Sequence, residues 1–404
     1  MSRIDDLIRQ YAPDGVEYIE IAELFSTRNG YTPSKSDSTA WVEGTVPWFR
    51  MEDIRDNGRV LDNSIQHIAE TAVKGGRLFP ANSILVATSA TIGEHALITV
   101  PHLSNQRFTS LALKPKYQDR FETKFIFYYC FVLDEWCKNN TTVSSFASVD
   151  MAGFKRFRFP VPPLEVQREI VRVLDAFAEL EAELEAELEA RRQQYAHYRE
   201  SLLVGEPAAE WATLGRIASF KYGYTDKARD AGDYRFIRIT DIGPNGKLSP
   251  SGHKFVSASA DARPYLVHPG DLLVARTGAT YGKTALIGET ESAVYASFLI
   301  RIRFEEGTLL PAYYWHFAQS SLYWDQADAL VSGGAQPQFN ANVLKTIRVP
   351  VPPIQDQQRI VGVLDKFDAL VNDLSSGLPA EIEARRQQYA YYRDRLLAFE
   401  EKVA

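Results

Sequence analysis

Residues 160–177 read PVPPLEVQREIVRVLDAF, and residues 350–367 read PVPPIQDQQRIVGVLDKF. Both stretches run on to a near-identical close, EARRQQYAHYRESLL at 189–203 and EARRQQYAYYRDRLL at 383–397. Two proline brackets, each launching a long apolar-periodic segment, mark a duplicated chain. In the first copy, AELE occurs three times from Ala178, so Leu180, Leu184 and Leu188 fall four apart. Ile170, Leu174 and Phe177 precede them and Tyr195, Tyr198 and Leu202 follow, giving one apolar stripe along a helix of roughly 60 Å. A stripe that long needs a partner, and the second copy supplies it. If the duplication carries a pseudo-two-fold, the two helices run antiparallel. The copies keep an offset of 190 up to Asn372 and 194 after Pro379, so four residues are inserted around Ser375, Ser376, Gly377 and Leu378. Gly and Pro predict a break there, with Pro379 opening a fresh helical segment.

Outward from the brackets, the preceding segments also match. Glu17-Tyr18, Ile21, Leu24 and Gly30-Tyr31-Thr32 correspond to Glu210-Trp211, Leu214, Ile217 and Gly223-Tyr224-Thr225. FRMEDIRDNG at 49–58 parallels IRITDIGPNG at 237–246, which predicts Arg50 and Arg238 on strands and a hairpin at each Asn-Gly. SILVATSATIGEHALI at 83–98 parallels DLLVARTGATYGKTALI at 271–287, each predicting strand, turn and strand. An aromatic segment of helical length closes each half, at 125–138 and 312–329; a buried core helix is favoured over a base-stacking surface. The expected architecture is α+β: two similar mixed α/β domains separated by two long antiparallel coiled-coil helices, with pseudo-two-fold symmetry. The boundaries are a leader at 1–15, domains at 16–160 and 207–350, and helices at 161–206 and 351–404, the latter broken near 375–379.

The chain has 404 residues, 45% of them hydrophobic, and a net charge of −7. That acidity sits on the helices: residues 161–206 carry −6, whereas 16–160 sum to zero and 207–350 to +2. The domains are therefore free to bind a polyanion on one face. Two cysteines, Cys130 and Cys137, exclude a disulfide framework and a four-cysteine zinc site and suit the cytoplasm. The opening MSRIDDLIRQ has no signal-peptide character, and no apolar run reaches membrane-spanning length.

Catalytic signatures are missing or incomplete. Gly278 to Thr284 resembles a phosphate-binding P-loop but is one residue short, and a strand rather than a helix is expected after it. No Gly-rich cofactor loop or acidic-Pro-Pro-aromatic tetrapeptide marks a methyltransferase, Asp119, Glu122 and Lys124 are too closely spaced for a nuclease core, and seven dispersed histidines give no metal spacing. A P-loop enzyme and a helical scaffold without DNA affinity stand as the competing readings.

FPVPPLEVQREIVRVLDAF at 159–177, VPVPPIQDQQRIVGVLDKF at 349–367, the AELE repeats, GLPAEIEARRQQYAYYRDRLL at 377–397 and APDGVEY at 12–18 together resemble the specificity (S) subunit of type I restriction–modification systems, over essentially the whole chain. The resemblance implies a non-catalytic subunit whose two target-recognition domains each read half of a bipartite, asymmetric double-stranded DNA site. The helices form the spacer and dock two modification subunits, which bring S-adenosylmethionine and methylate adenine; restriction/motor subunits add ATP- and Mg-dependent translocation and cleavage. One AELE unit adds about 6 Å and 40°, against roughly 3.4 Å and 35° per base pair, so removing one should shorten the preferred gap between half-sites by one or two base pairs.

Base-edge contacts are expected from turns and strand ends rich in Arg, Lys, Asn and Gln. The candidates are Arg50, Thr88, Ser89, Asn105, Gln106 and Arg107 in the first domain. Arg238, Arg276, Thr277, Lys283, Gln336, Gln338 and Asn340 are those in the second. Arg191, Arg192, Tyr195, Arg385, Arg386 and Tyr389, in the RRQQY repeats, are the candidate partner-protein surface.

Overall fold

In the computed structural model, residues 3–142, 147–204, 210–288, 292–331, 339–373 and 375–402 are described. The chain divides into two compact units, one of residues 1–182 with 384–404, the other of residues 183–383. Each therefore holds one globular domain and a portion of both spacer segments.

In the first unit a five-stranded sheet runs in the order Phe25–Asn29, Phe108–Leu113, Ser83–Ala87, His95–Ile98, Val60–Leu61. The first three pairings are antiparallel and the last is parallel. A second sheet sets Val46–Phe49 between His67–Ile68 and Leu103–Ser104. The second unit repeats the plan: Ala218–Tyr222, Leu299–Phe304, Leu272–Ala275 and Thr284–Leu286 in one sheet, with Tyr234–Ile237 between Phe255–Val256 and Ala293–Tyr295 in the other. Ser83–Ala87 and Leu272–Ala275 are buried along their whole length, as a strand paired on both edges and covered on both faces must be.

The aromatic segment of the first unit is one helix, Thr123–Asn139, with Phe125, Ile126, Phe127, Tyr128, Tyr129 and Cys130 all buried. Apolar residues on consecutive positions 125–130 leave that half of the helix no polar face, so it lies inside the core, while Glu135, Lys138 and Asn139 farther along are exposed. Its counterpart is two helices, Pro311–Phe317 and Ser321–Leu330. The interruption falls where Ser320 turns extended and its hydroxyl donates to the Phe317 carbonyl at 2.6 Å, diverting an acceptor from the helical ladder.

The proline brackets are strands. Arg158–Val161 pairs antiparallel with Glu17–Glu20, setting Tyr18 opposite Pro160; Arg348–Val351 pairs with Glu210–Thr213, setting Trp211 opposite Pro350. The helices start directly after Pro-Pro, at Leu164–Val204 and Ile354–Asn372. At each start sits a fully buried glutamine. Gln167 donates to the Pro162 and Arg120 carbonyls at 2.7 and 2.8 Å and accepts from the Glu122 N–H at 2.8 Å. Gln357 does the same with Pro352, Thr308 and Leu310. One buried amide thus satisfies three backbone groups at the joint between domain and helix.

The second spacer segment breaks between Asn372 and Leu378, with Pro379 second in the new helix Leu378–Leu396. Gly377 is required there, since a Cβ would come within 2.5 Å of the Ala369 carbonyl. The expected hairpin at Asn57-Gly58 is absent: Met51–Asn57 is a helix ending on Gly58 at φ +85°. Arg50 and Arg238 accordingly lie just past their strands, at helix starts, where the buried carboxylates of Asp53 and Asp241 accept their backbone N–H groups at 2.6 and 2.8 Å. Asn245-Gly246 does form a tight turn, bridged by Ile242 and Leu248. The leader is also more than a tail: Arg3–Tyr11 is a helix, with Leu7 and Ile8 packed on the first unit's core.

Candidate nucleic-acid interface

Four candidates of the first unit converge. Arg50, Asn105, Gln106 and Arg107 line one open cleft of about 750 Å³, with Thr32, Lys35, Gln66, Glu52, Trp41 and Trp48 around them. Two chain features bring them together. Arg50 caps the helix that comes after Val46–Phe49, and the 105–107 turn comes after the parallel neighbour strand Leu103–Ser104. The turn is shaped by Asn105, whose Oδ1 accepts the Arg107 N–H at 3.0 Å while its own N–H donates to Phe49 at 3.1 Å. Arg50 lies 5.8 Å over the Trp48 ring and 3.9 Å from Glu52, and among the described residues its buried Nε has no hydrogen-bond partner. A buried donor without a partner costs stability unless a ligand supplies the acceptor. Lys35, Arg50 and Arg107 against Glu52 leave the lining net positive.

Thr88 and Ser89 do not open into that cleft. Thr88 is buried, its hydroxyl 2.9 Å from that of Thr109, which in turn donates to Asn29 Oδ1 at 3.0 Å. Ser89 bridges Ser148 along the backbone.

In the second unit, Arg276 occupies the position that Thr88 occupies in the first. The backbone shows the equivalence: Thr88 N–H donates to Arg107 and Arg276 N–H to Phe298, while Val149 donates to the Thr88 carbonyl and Phe339 to that of Arg276. By strand register Asn29 then corresponds to Tyr222, and Thr109 to Ile300. One backbone cradle thus carries an internal hydroxyl–amide chain in the first unit and an arginine between two rings in the second.

Of the remaining candidates in the second unit, Arg238, Thr277 and Asn340 are engaged in structure. Arg238 grips buried Asp241 with Nη2 and Nε at 2.7 and 3.2 Å. Thr277 is buried, and Asn340 caps the helix Ala341–Leu344 by accepting from Asn342 and Val343. Lys283 sits at the end of the turn with no ion pair among the described residues. Gln336 and Gln338 lie outside the described residues.

The phosphate-loop reading fails on geometry. The N–H groups of Tyr281, Gly282 and Lys283 donate to Gly278, Ala275 and Thr280, so the turn consumes the donors a phosphate would need. The turn leads into the strand Thr284–Leu286 and not into a helix N-terminus. Among the described residues no cluster of three or more His, Cys, Asp or Glu is placed to hold a metal ion, and no helix is long and apolar enough to cross a membrane.

The tyrosines of the RRQQY repeats serve the helices. Tyr195 is buried, stacked 6.2 Å from Phe367, its hydroxyl 3.1 Å from His316 Nδ1. Tyr389 lies 6.2 Å from Phe177, and burial pushes its hydroxyl up to about 12. Arg386 pairs with Glu181 at 2.6 Å, Arg191 reaches Glu187 and Gln194, and Arg385 donates to Gln388. Arg192 is exposed.

Two like-built sheet domains, each jointed to helices by the same buried amide and differing where their turns meet solvent, define a recognition protein built by duplication. The chain belongs to the type I restriction–modification DNA specificity family: the type I restriction modification DNA specificity domain matches residues 13–190 and again 210–384. It is 43% identical over 384 residues to the EcoprrI specificity subunit of Escherichia coli, spanning 89% of each chain. To the EcoR124I/EcoR124II specificity subunit of Escherichia coli it is 32% identical over 289 residues, 64% of this chain and 69% of that one. A chain from a structure of type I R-M complex assembly and conformational transition aligns with TM-score 0.65 at 17% identity, over 95% of this chain and 98% of that one. The S subunit from M. genitalium aligns with TM-score 0.50 at 15% identity, over 95% of each. The chain is thus a DNA-specificity subunit, non-catalytic, and the P-loop enzyme and DNA-free scaffold readings fall away.

Proposed function

We propose that this chain reads a bipartite, asymmetric duplex DNA target, residues 16–160 contacting one half-site and residues 207–350 the other. The observation that carries this reading is the cleft of the first unit, where Arg50, Asn105, Gln106 and Arg107 come from separate stretches to one net-positive lining. Arg, Asn and Gln are the side chains whose paired donors and acceptors match guanine and adenine edges. Lys35, which sequence patterning did not single out, joins them. The second unit repeats the scaffold with different side chains at matching positions, as two unlike half-sites demand.

The spacer segments at 161–206 and 351–404 dock two modification subunits through their exposed polar faces, including Arg192. Those subunits supply S-adenosylmethionine and methylate adenine; restriction/motor subunits use ATP and Mg. This chain binds no cofactor, and it works in the cytoplasm, where its DNA lies. Co-expression of the chain with its modification subunit, combined with genome-wide mapping of methylated adenines, tests the reading. A single asymmetric motif, two short half-sites around a fixed gap, is expected. Methylation at a continuous or unrelated motif defeats it.

A further inference from the structure

We propose that Arg276 reads a guanine in the half-site contacted by the second unit, with Tyr222 and Phe298 as the rings that position it; this rests on the DNA-recognition reading above. Arg276 comes directly after the buried strand Leu272–Ala275. Its backbone is pinned on both sides, N–H to Phe298 at 3.0 Å and carbonyl from Phe339 at 2.8 Å. Its Nε donates to the Ser297 carbonyl at 3.0 Å. The guanidinium carbon lies 5.4 Å from the Tyr222 ring centre and 5.2 Å from that of Phe298. With Nε engaged and the plane flanked by rings, the two Nη groups form a fork that is already oriented. No carboxylate among the described residues neutralises it.

Its neighbours make the contrast. Arg238 is held by Asp241, and Arg301 and Arg303 both lie within 3.5 Å of Asp271. Those arginines hold the domain together, whereas Arg276 keeps an uncompensated charge and a fixed fork. That geometry matches O6 and N7 of guanine in the major groove, the commonest specific arginine contact.

A phosphate would use the same fork, but the surroundings favour a base. Tyr222 and Phe298 are 44% and 50% exposed, so large apolar surfaces flank the cation in the free protein. Apolar rings complement base edges and the thymine methyl group, and gain nothing from a phosphate. The Tyr222 hydroxyl accepts the Ala341 N–H at 3.1 Å, which fixes one ring while Phe298 stands at the open side. In the first unit this cradle holds Asn29, Thr88 and Arg107, so the guanine contact belongs to one half-site alone.

The test is methylome mapping of the full chain co-expressed with its modification subunit, comparing wild type with R276A, R276K, F298A and F298Y. In the wild-type motif one half contains an obligatory G·C pair. R276A lowers the preference for that pair by roughly 5- to 150-fold, the discrimination one bidentate contact supplies, and leaves the other half unchanged. R276K does not restore the preference, because an ammonium has no fork. F298A relaxes the same pair and F298Y restores it. R276M, whose stem still fills the space between the rings, replaces R276A should the latter fail to assemble. A motif unchanged in R276A, or a uniform loss at all sites with a smaller salt dependence of duplex binding, overturns the guanine contact while the bipartite reading stands. A wild-type complex that yields no bipartite motif removes both.

Discussion

Phe177 stacks on Tyr392 with ring centres 5.6 Å apart and planes 25° from parallel. The second unit repeats the contact, Phe367 on Tyr198, at 5.2 Å and 26°. Phe177 corresponds to Phe367 and Tyr392 to Tyr198, so each unit takes the phenylalanine from one sequence copy and the tyrosine from the other. In the first unit Arg386 reaches Glu181, so the contact partner falls in sequence as the position rises, and the segments run antiparallel there.

Replacing either phenylalanine by alanine removes a half-buried ring and its stacking contact with the tyrosine. A loss of about 2 kcal/mol is expected for F177A and for F367A. Urea unfolding of the full chain measures it; a marked difference between the two variants would contradict the equivalence of the contacts.

The buried glutamines should be far less tolerant than any exposed polar residue. Q357L leaves the Leu310 N–H and two carbonyls without partners in a site closed to water. The expected loss is about 2–4 kcal/mol, visible as a lowered melting temperature, and Q167L should match it. Glutamate at either position fails as well, because it cannot donate to the two carbonyls.

Arg238 gives the control for Arg276. Removing it strands the Asp241 carboxylate, only 5% exposed, without its bidentate partner. R238A should cost about 2–4 kcal/mol and leave the methylated sequence unaltered. Measured stability and the methylated motif separate the two arginines, one holding the domain and the other reading DNA.

Acid should weaken the first unit through His102. Burial between Phe49 and Phe79 lowers this imidazole from 6.5 to about 4, only partly opposed by the bond to the Val100 carbonyl. Its Nε2 is buried with no hydrogen-bond partner among the described residues. The unfolded chain therefore binds the proton first, and stability falls as pH drops from about 6.5 toward 4, then levels off. At pH 5 the loss is about 2 kcal/mol relative to pH 7. Urea unfolding at both pH values checks this, and H102F should flatten that part of the difference.

Much of the architecture was legible because it was written twice. The brackets, spacer helices and paired strand–turn–strand segments rest on apolar periodicity and proline, which act locally. Asn57-Gly58 misled, because the same dipeptide suits a hairpin and a helix end; the buried Asp53 cap decided for the helix. Gln167 and Gln357 carried a visible signal, each four residues after the last proline of its bracket. Tyr222 and Phe298 carried none, since their meeting at Arg276 is made by strand register. The partner-surface reading of Tyr195 and Tyr389 missed that a tyrosine flanked by arginines can still turn its ring inward.

Residues 384–404 complete the first unit: Val16 N–H donates to Glu400 at 2.9 Å, Arg158 pairs with Glu401, and Leu397 is buried in that unit's core. A ribosome delivers them after residues 183–383. The second unit, wholly contained in residues 183–383, is therefore finished while the earlier-made one still waits for its closing segment. Order of synthesis and order of completion are reversed, and a chain cut short before residue 384 would leave the ribosome with its newer half folded and its older half open.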